Sequence, residues 1–356
     1  MLAGKLESDG DVPAAPRLLV LLAATSCLFD DPGPGAVSAD TEVGTGTSTG
    51  TDTPTTGEPA EQCGWEPRSP GEAPEARIDA TLTLNEERGT LLLFGGRVGL
   101  SGDDLGDTWE FDGSKWTRIL DDGPPNDRRG HAAAWHSADQ RVVLFGGEYG
   151  ELDVKFAEKT WTHDGDEWTE QGGKGPSERA HAAMADLPAR ERVVLFGGRT
   201  KNGPSDETWH WDGSEWTEVD TAAAPSPRFD HTMALDEASG QVLLHGGCAT
   251  TPCGEPLTDT WAWDGEVWEQ LDAGEAPGPR AGSMVYDRSE PALLRFGEGE
   301  GWRWGGEAWS TAGAAPDALA AFAAAYHPGT AGVVMFGGLD AKLAATDETW
   351  VFRCAR

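Results

Sequence analysis

Short apolar runs that end in paired glycines recur about every 50 residues and form the clearest pattern in the sequence. Each run has about four apolar residues, which suits a buried β-strand and is too short for a helix. We therefore predict a β unit that is repeated along the chain. The runs lie at residues 91–96, 142–147, 193–198, 242–247, 293–298 and 333–338, and the fifth of these is degenerate because Glu298 replaces the second glycine.

A pair of tryptophans with fixed spacing follows the apolar runs. In the first repeat, Trp109 and Trp116 flank the dipeptide Asp112-Gly113, which between aromatic strands predicts a tight hairpin. Segments rich in small residues precede the runs, as at 131–134, and small side chains suit an innermost strand where space is least. Each repeat therefore predicts four strands. The same tryptophan spacing joins Trp161 to Trp168, Trp209 to Trp216, Trp261 to Trp268 and Trp302 to Trp309.

The last repeat ends after 349–352 and lacks its returning strand, whereas residues 64–67 align with the returning strand at 115–118. We expect the N-terminal strand to complete the C-terminal repeat, so that no sheet edge stays open. The fold class predicted is all-β, a six-bladed β-propeller of four-stranded antiparallel blades.

The glycine pairs and spaced tryptophans resemble the kelch-repeat β-propeller family across residues 62–356. The family often has tyrosine after the glycine pair, whereas this chain has tryptophan, which suggests a bacterial branch. The resemblance implies a rigid scaffold whose longer loops, between strands two and three of each blade, lie on one face and bind a ligand. It does not by itself choose a function.

The first 27 residues are typical of an export signal. Arg17 precedes the apolar stretch 18–24, which is too short to span a bilayer. The residues 24–27 resemble a bacterial lipoprotein cleavage site, which implies lipidation of Cys27. Residues 28–61, rich in Thr, Gly, Pro and Ser, predict a disordered tether. We expect a propeller anchored by lipid to the bacterial envelope, at the outer membrane or cell surface, with translation starting near Val12.

The charge composition disfavours some classes of binding partner. The chain has 61 acidic and 27 basic residues and a formal charge of -34, which disfavours nucleic acid and anionic lipid headgroups. We expect a monomer that contacts the membrane only through its anchor and binds a protein or a carbohydrate.

The cysteines predict two disulfides. In the repeat alignment, Cys63 and Cys354 fall side by side at the positions of Ser114 and Gly113, where they would replace the missing peptide connection. Cys248 and Cys253 lie in one loop and are expected to pair. No metal site is expected, because no further ligands are suitably spaced near the cysteines and Asp103, Asp104 and Asp107 lack the spacing of a calcium loop. No cofactor is expected either.

Histidine and arginine recur near the predicted axis on the loop face, and together they could hold a carboxylate or an acidic sugar. The favoured alternative is that these groups pair with acidic neighbours and orient loops, repeat after repeat. The candidates are Arg97, Arg129, His131, His181, Arg199, Arg228, His231 and Arg280, with Arg179 in the same series.

Two functions remain open. The favoured one is a cell-surface binding module without catalysis, and no catalytic residue is assigned. The alternative is a cofactor-free carbohydrate enzyme similar to a sialate mutarotase. A copper oxidase of the kelch type is disfavoured, because the chain has only three tyrosines and its cysteines are otherwise assigned.

Overall fold

The computed structural model describes residues 63–121, 123–278, 282–316 and 320–354. Six four-stranded antiparallel sheets surround a central axis, and the predicted all-β, six-bladed propeller is confirmed. The first three blades comprise β2 (Thr81–Asn85), β3 (Thr90–Phe94), β4 (Thr108–Phe111) and β5 (Trp116–Leu120); β6 (Ala132–His136), β7 (Arg141–Phe145), β10 (Thr160–His163) and β11 (Trp168–Gln171); and β12 (Ala183–Leu187), β13 (Arg192–Phe196), β16 (Thr208–Trp211) and β17 (Trp216–Val219).

The other three blades follow the same order. They comprise β18 (Thr232–Asp236), β19 (Gln241–His245), β20 (Thr260–Trp263) and β21 (Trp268–Leu271); β22 (Ser283–Asp287), β23 (Ala292–Gly297), β24 (Glu300–Trp304) and β25 (Trp309–Ala314); and β26 (Ala323–His327), β27 (Gly332–Phe336), β28 (Thr349–Cys354) and β1 (Cys63–Arg68). Two loops add small ribbons, β8 (Glu148–Tyr149) with β9 (Lys155–Phe156) and β14 (Arg199–Thr200) with β15 (Gly203–Pro204), and a 3-10 turn spans Pro188–Arg190.

The ring closes as the sequence predicts. Strand β1 pairs antiparallel with β28, and Cys63 lies opposite Cys354 in that register. Both predicted disulfides, Cys63–Cys354 and Cys248–Cys253, are present. The N-terminal strand is therefore joined to the last blade by a ladder of hydrogen bonds and by a covalent bond.

The hairpin turns differ in one respect from the two-residue turn that Asp-Gly predicts. Only the glycine has a positive φ, 93° at Gly113. The Asp112 carboxylate instead accepts hydrogen bonds from the backbone N–H groups of Ser114 and Lys115, at 2.9 and 3.0 Å. The aspartate thus stabilises a longer turn through its side chain rather than through its own backbone conformation.

Tryptophans hold the blades to one another. The outermost-strand indole of one blade donates a hydrogen bond to a threonine hydroxyl of the preceding blade, as from Trp268 Nε1 to Thr208 Oγ1 at 3.0 Å. This contact occurs at five of the six blade junctions. The donor and acceptor pairs are Trp116–Thr349, Trp168–Thr108, Trp216–Thr160, Trp268–Thr208 and Trp309–Thr260.

The sixth junction lies between the fifth and sixth blades and is different. Here Gly301 replaces the threonine, and the buried Trp65 Nε1 has no acceptor in the described part of the chain. Trp65 packs instead against Phe296, with ring centroids 4.8 Å apart. The degenerate fifth repeat therefore produces the one junction without this hydrogen bond.

Candidate functional site

The arginines that precede the inner strands belong to a structural series. Counted back from the glycine pairs, Arg77, Arg128, Arg179 and Arg228 occupy the same position. Each donates from Nη1 to the carbonyl of the first glycine of its own blade, at 2.9–3.0 Å, with the bonds ending on Gly95, Gly146, Gly197 and Gly246.

Three members of the series also pair with a carboxylate. Arg77 binds both oxygens of Asp107, at 2.6 and 2.9 Å, and Trp109 Nε1 donates to the same carboxylate at 2.7 Å. Arg228, Asp259 and Trp261 repeat this arrangement. In the third blade, Arg179 and Trp209 both donate to one oxygen of Glu207. Arg179 and Arg228 are fully buried in these contacts and hold the loop behind the glycine pair.

Two of the candidate histidines lie inside the blade packing. His131 and His231 directly precede β6 and β18 and stack edge-on against Phe94 and Phe196. Burial lowers the pKa of each to about 3, so both are neutral. His131 Nε2 also lies 2.8 Å from Thr81 Oγ1.

His181 lies one position earlier in its repeat than His131 and His231 lie in theirs. It precedes β12 by two residues and matches Asp79, Gly130, Asp230 and Ala321, not His131. All five residues have φ between 56° and 59°. The three histidines look equivalent because each lies just before an inner strand, and only the distance to the following glycine pair separates His181 from His131 and His231.

These positive-φ residues form a hydrogen-bonded partial ring around the axis, across the five blades in which the structure describes this position. The N–H of Asp79 donates to the carbonyl of Ala321, Gly130 to Asp79, His181 to Gly130, and Asp230 to His181, over 2.6–3.1 Å. The backbone ring thus runs across blades six, one, two, three and four. These backbone hydrogen bonds fix the position from which each of these side chains extends.

Charged side chains at and beside this ring form a network of ion pairs on blades two to four, next to Asp79 of blade one. His181 Nδ1 lies 2.8 Å from Asp230 Oδ1, and its Nε2 lies 3.7 Å from Glu148 Oε1. Glu148 also pairs with Arg129 at 3.0 Å and with Arg199. We call Asp79, Arg129, Glu148, His181, Arg199 and Asp230 the mouth cluster.

Charge and burial shift the pKa values of this cluster in different directions. Burial alone lowers the pKa of His181, but the carboxylates of Asp230 and Glu148 outweigh it and raise that pKa to about 10. Burial raises the pKa of Glu148, yet His181, Arg199 and Arg129 bring it down to about 2. Burial raises the pKa of Asp79 to about 6, helped by Asp230 and Glu148 and opposed by His181 and Arg129. A cationic imidazole therefore lies near a carboxyl group that titrates close to neutral pH.

The cluster opens into the axial channel. A cavity of about 800 Å³ is lined by residues of all six innermost strands, and Asp79, His181 and Asp230 line it at the loop face. Glu148 and Arg129 are almost fully buried behind them. At the opposite end Arg288 spans the channel between Glu86 and Glu237, with both contacts at 2.6 Å.

The remaining candidates have different surroundings. Arg199, already placed in the mouth cluster by its ion pair with Glu148, also lies over the Phe156 ring, 5.4 Å from its centroid. Arg97 is buried beside the cluster and donates from Nε to the Gly102 carbonyl at 2.9 Å. Asp104, one of the aspartates weighed for calcium, pairs with Arg129 at 2.5 Å. Arg280 and Cys27 lie outside the described residues.

Sequence reasoning missed Asp79, Glu148 and Asp230. Counting positions from the glycine pairs would have found them. Glu148 occupies the place that Arg97 and Arg199 take in the flanking blades, and Asp79 and Asp230 share the register of His181. Among the residues that the structure describes, no group of His, Cys, Asp and Glu could hold a metal ion. The same residues contain no helix long and apolar enough to cross a membrane.

The architecture defines the molecule as a six-bladed β-propeller. Among solved structures it is similar to one described as the structure of YjhT, with a TM-score of 0.61 and 12% sequence identity over 80% of this chain and 99% of that one. At this identity the likeness shows the fold alone. No protein-family model matches the sequence.

Two curated proteins show partial sequence similarity. Mei4-dependent protein 6 of Schizosaccharomyces pombe is 31% identical over 163 residues, which is 40% of this chain and 23% of that protein. The flagellar outer arm dynein alpha chain of Chlamydomonas reinhardtii is 33% identical over 212 residues, 51% of this chain and 4% of that protein. The chain spans less than a quarter of either relative.

Proposed function

We propose that this propeller is a binding module that holds a hydroxyl-rich ligand, of the carbohydrate class, at the mouth cluster. The observation that carries the proposal is His181 held between Asp230 and Glu148 at the opening of the axial channel. The structural arginines repeat from blade to blade, whereas these groups differ at equivalent positions, as expected of a site rather than of a packing motif.

The chemistry of the cluster suits such a ligand. Carboxylates accept and imidazolium and guanidinium groups donate hydrogen bonds, so adjacent sugar hydroxyls would find both kinds of partner. Ion pairs hold five charged side chains in place before a ligand arrives, which lowers the ordering cost of binding; they are Arg129, Glu148, His181, Arg199 and Asp230. The alternative ligand of the binding hypothesis, a protein, would engage the surrounding loops.

A glycan array with the purified propeller tests the proposal. We expect binding to a restricted set of glycans, and its loss in His181→Gln, which removes the cation between the two carboxylates. His210→Gln is the matched control, because His210 lies in the same blade, outside the channel lining, and accepts a hydrogen bond from Trp263 Nε1 that glutamine can also accept. Equal glycan binding by wild type and His181→Gln would contradict this site.

A second function is favoured by one observation, the carboxyl of Asp79 with a pKa near 6 beside a cationic His181. Such a pair can exchange protons with a sugar hydroxyl or ring oxygen without a cofactor, as a mutarotase-like isomerase requires. A mutarotation assay by NMR discriminates the two functions. Turnover that Asp79→Asn abolishes would support catalysis, and glycan binding without turnover would support the binding module.

We further propose that the propeller works outside the cytoplasm, exported by residues 1–27 and tethered through 28–61 from a lipid on Cys27. The two disulfides support an oxidising setting. Metabolic labelling with a palmitate analogue tests the anchor. Label should enter the wild-type protein and be absent from Cys27→Ser, whereas equal labelling of both would refute lipidation at Cys27.

A further inference from the structure

Blade 2 lacks the ion pair between arginine and a carboxylate that blades 1 and 3 have. In the other five blades the residue two positions before the first tryptophan is acidic, and its carboxylate accepts a hydrogen bond from that indole. The acids are Asp107, Glu207, Asp259, Glu300 and Glu348. In blade 2 this position is Lys159, whose Nζ points to Glu170 at 2.9 Å.

The substitution leaves two donors without their usual partner. Arg128 is 5% exposed, and within the described part of the chain its hydrogen bonds go only to backbone carbonyls, of Asn126 at 2.9 Å and Gly146 at 3.0 Å. No described carboxylate forms an ion pair with Arg128, unlike the equivalent Arg77, Arg179 and Arg228. The buried Trp161 Nε1 likewise has no acceptor in the described part of the chain. An unpaired buried guanidinium and indole are both costly.

Arg128 opens onto a groove rather than onto packed protein. The groove has a volume of about 940 Å³ and is lined by Arg128 and Lys159 together with the aromatic rings of Tyr149 and Phe156. It lies on the loop face beside the mouth cluster, and none of the residues in that cluster lines it.

We propose that this groove binds a carboxylate supplied by another molecule, held by Arg128 and Trp161 as Asp107, Glu207 and Asp259 are held in their own blades. The internal repeats supply the reason for the ligand class: the same pair of donors binds a carboxylate in blades 1, 3 and 4. Lys159 adds a second positive charge at the edge of the site. The proposal is independent of the function proposed for the mouth cluster.

The rim of the groove restricts the ligand further. Five acidic residues line it, and two of them are already paired, Asp104 with Arg129 and Glu178 with Lys201. Asp103 and Glu158 form no ion pair in the described part of the chain, and they favour a ligand that carries a positive charge near its carboxylate. The C-terminus of a peptide that ends in a basic residue has this chemistry, and so does a small zwitterion. The other acidic residues of the rim are Asp103, Asp127 and Glu158.

The Trp161 indole provides a direct readout. In protein labelled with ¹⁵N-tryptophan, with the Trp161 signal assigned through Trp161→Phe, we would titrate three probes at constant ionic strength. They are sodium acetate, the acetylated dipeptide Gly-Lys with a free C-terminus, and the same dipeptide as its C-terminal amide. Acetate and the free dipeptide should shift the Trp161 indole N–H downfield in a saturable way, and the amide should not.

The comparison of probes separates the two sources of carboxylate. Tighter binding of the free dipeptide than of acetate points to a peptide terminus, and equal binding points to a small carboxylate. If neither acid moves the Trp161 signal, or if the amide moves it equally, the site is refuted.

Lys159→Asp is the decisive variant, because it restores the carboxylate that the other blades carry. We expect a higher melting temperature, a Trp161 signal already shifted without any probe, and acetate affinity weakened about tenfold or more. Lys174→Asp changes the charge equally at an exposed lysine and should bind acetate like wild type. Unchanged acetate binding by Lys159→Asp would overturn the proposal.

Discussion

The imidazole of His181 lies directly across the backbone of Gly130, its neighbour in the ring around the channel. A Cβ added to Gly130 would lie 2.8 Å from the His181 ring, closer than such contacts occur, and Gly130 itself has φ near 59°. Glycine is therefore required at this position for two reasons, its own positive φ and the space that the His181 ring needs. This relationship joins blades 2 and 3 at the level of the mouth cluster.

We expect Gly130→Ala to displace His181 from Asp230 and Glu148, and so to lower the His181 pKa from about 10 toward the ordinary histidine value. The pKa is measured by NMR titration of the imidazole signals. Gly240→Ala is the control, because Gly240 also has a positive φ, 74°, but nothing lies within 4 Å of its added Cβ. A similar loss of stability of about 1 kcal/mol from backbone strain is expected in both variants, so only the pKa separates them. An unchanged His181 pKa in Gly130→Ala would show that the contact does not position the ring.

Asp79 is expected to destabilise the fold at neutral pH. Burial raises its pKa to about 6 from 3.8, so the folded protein binds this proton more tightly than the unfolded chain does. The protonated Asp79 carboxyl therefore contributes fully to the free energy of unfolding below about pH 3.8, and this contribution is lost as the pH rises through 6. Asp79→Asn should therefore raise the free energy of unfolding at pH 7.5, by on the order of 2 kcal/mol, with little effect at pH 3.5.

Urea unfolding of wild type and Asp79→Asn at the two pH values measures this difference. Asp272→Asn, at an exposed aspartate outside the channel lining, serves as the charge-matched control. A stabilised Asp79→Asn would support a site residue retained at a cost in stability, as is common where function requires it. A destabilised variant at pH 7.5 would instead give Asp79 a structural role.

The blades could be predicted from sequence because their signals are local. Four apolar residues before a glycine pair and two tryptophans at fixed spacing determine the strands and their order, and the alignment of Trp65 with Trp116 determines the closing register. The same alignment placed Cys63 opposite Cys354. These features depend on strand register, which repeats in every blade.

The contacts within the mouth cluster could not be predicted in the same way, although counting from the glycine pairs locates its positions. Its residues lie on loops before the inner strands and after the glycine pairs, where one residue of shift separates a buried histidine from an axial one. His131 and His181 look alike in sequence, yet burial makes the first neutral and two carboxylates make the second a cation. The partners that decide this, Glu148 and Asp230, come from neighbouring blades, and no local pattern joins them.

The two disulfides are expected to contribute unequally to stability. Cys63–Cys354 closes a loop with a sequence separation of 291, whereas Cys248–Cys253 spans 5. In the chain-entropy treatment the long loop stabilises by about 6 kcal/mol and the short loop by about 2 kcal/mol. Thermal unfolding of Cys63→Ala with Cys354→Ala should show the larger loss, and Cys248→Ala with Cys253→Ala is its control. A larger loss from the short loop would mean that loop closure does not govern the stability of this ring.

The hydrogen bonds from tryptophan to threonine lead to a final prediction about what stabilises the contact between blades. Thr208→Val keeps the shape of the side chain but leaves the buried Trp268 Nε1 without an acceptor, so we expect a loss of about 1–3 kcal/mol in the free energy of unfolding. Thr217→Val, at an exposed position of the same blade, should change it by less than about 0.5 kcal/mol. Urea unfolding measures both. The junction at Trp65 lacks this hydrogen bond and is held by aromatic packing. If the two substitutions had equal effects, aromatic packing alone would hold the other blades together as well.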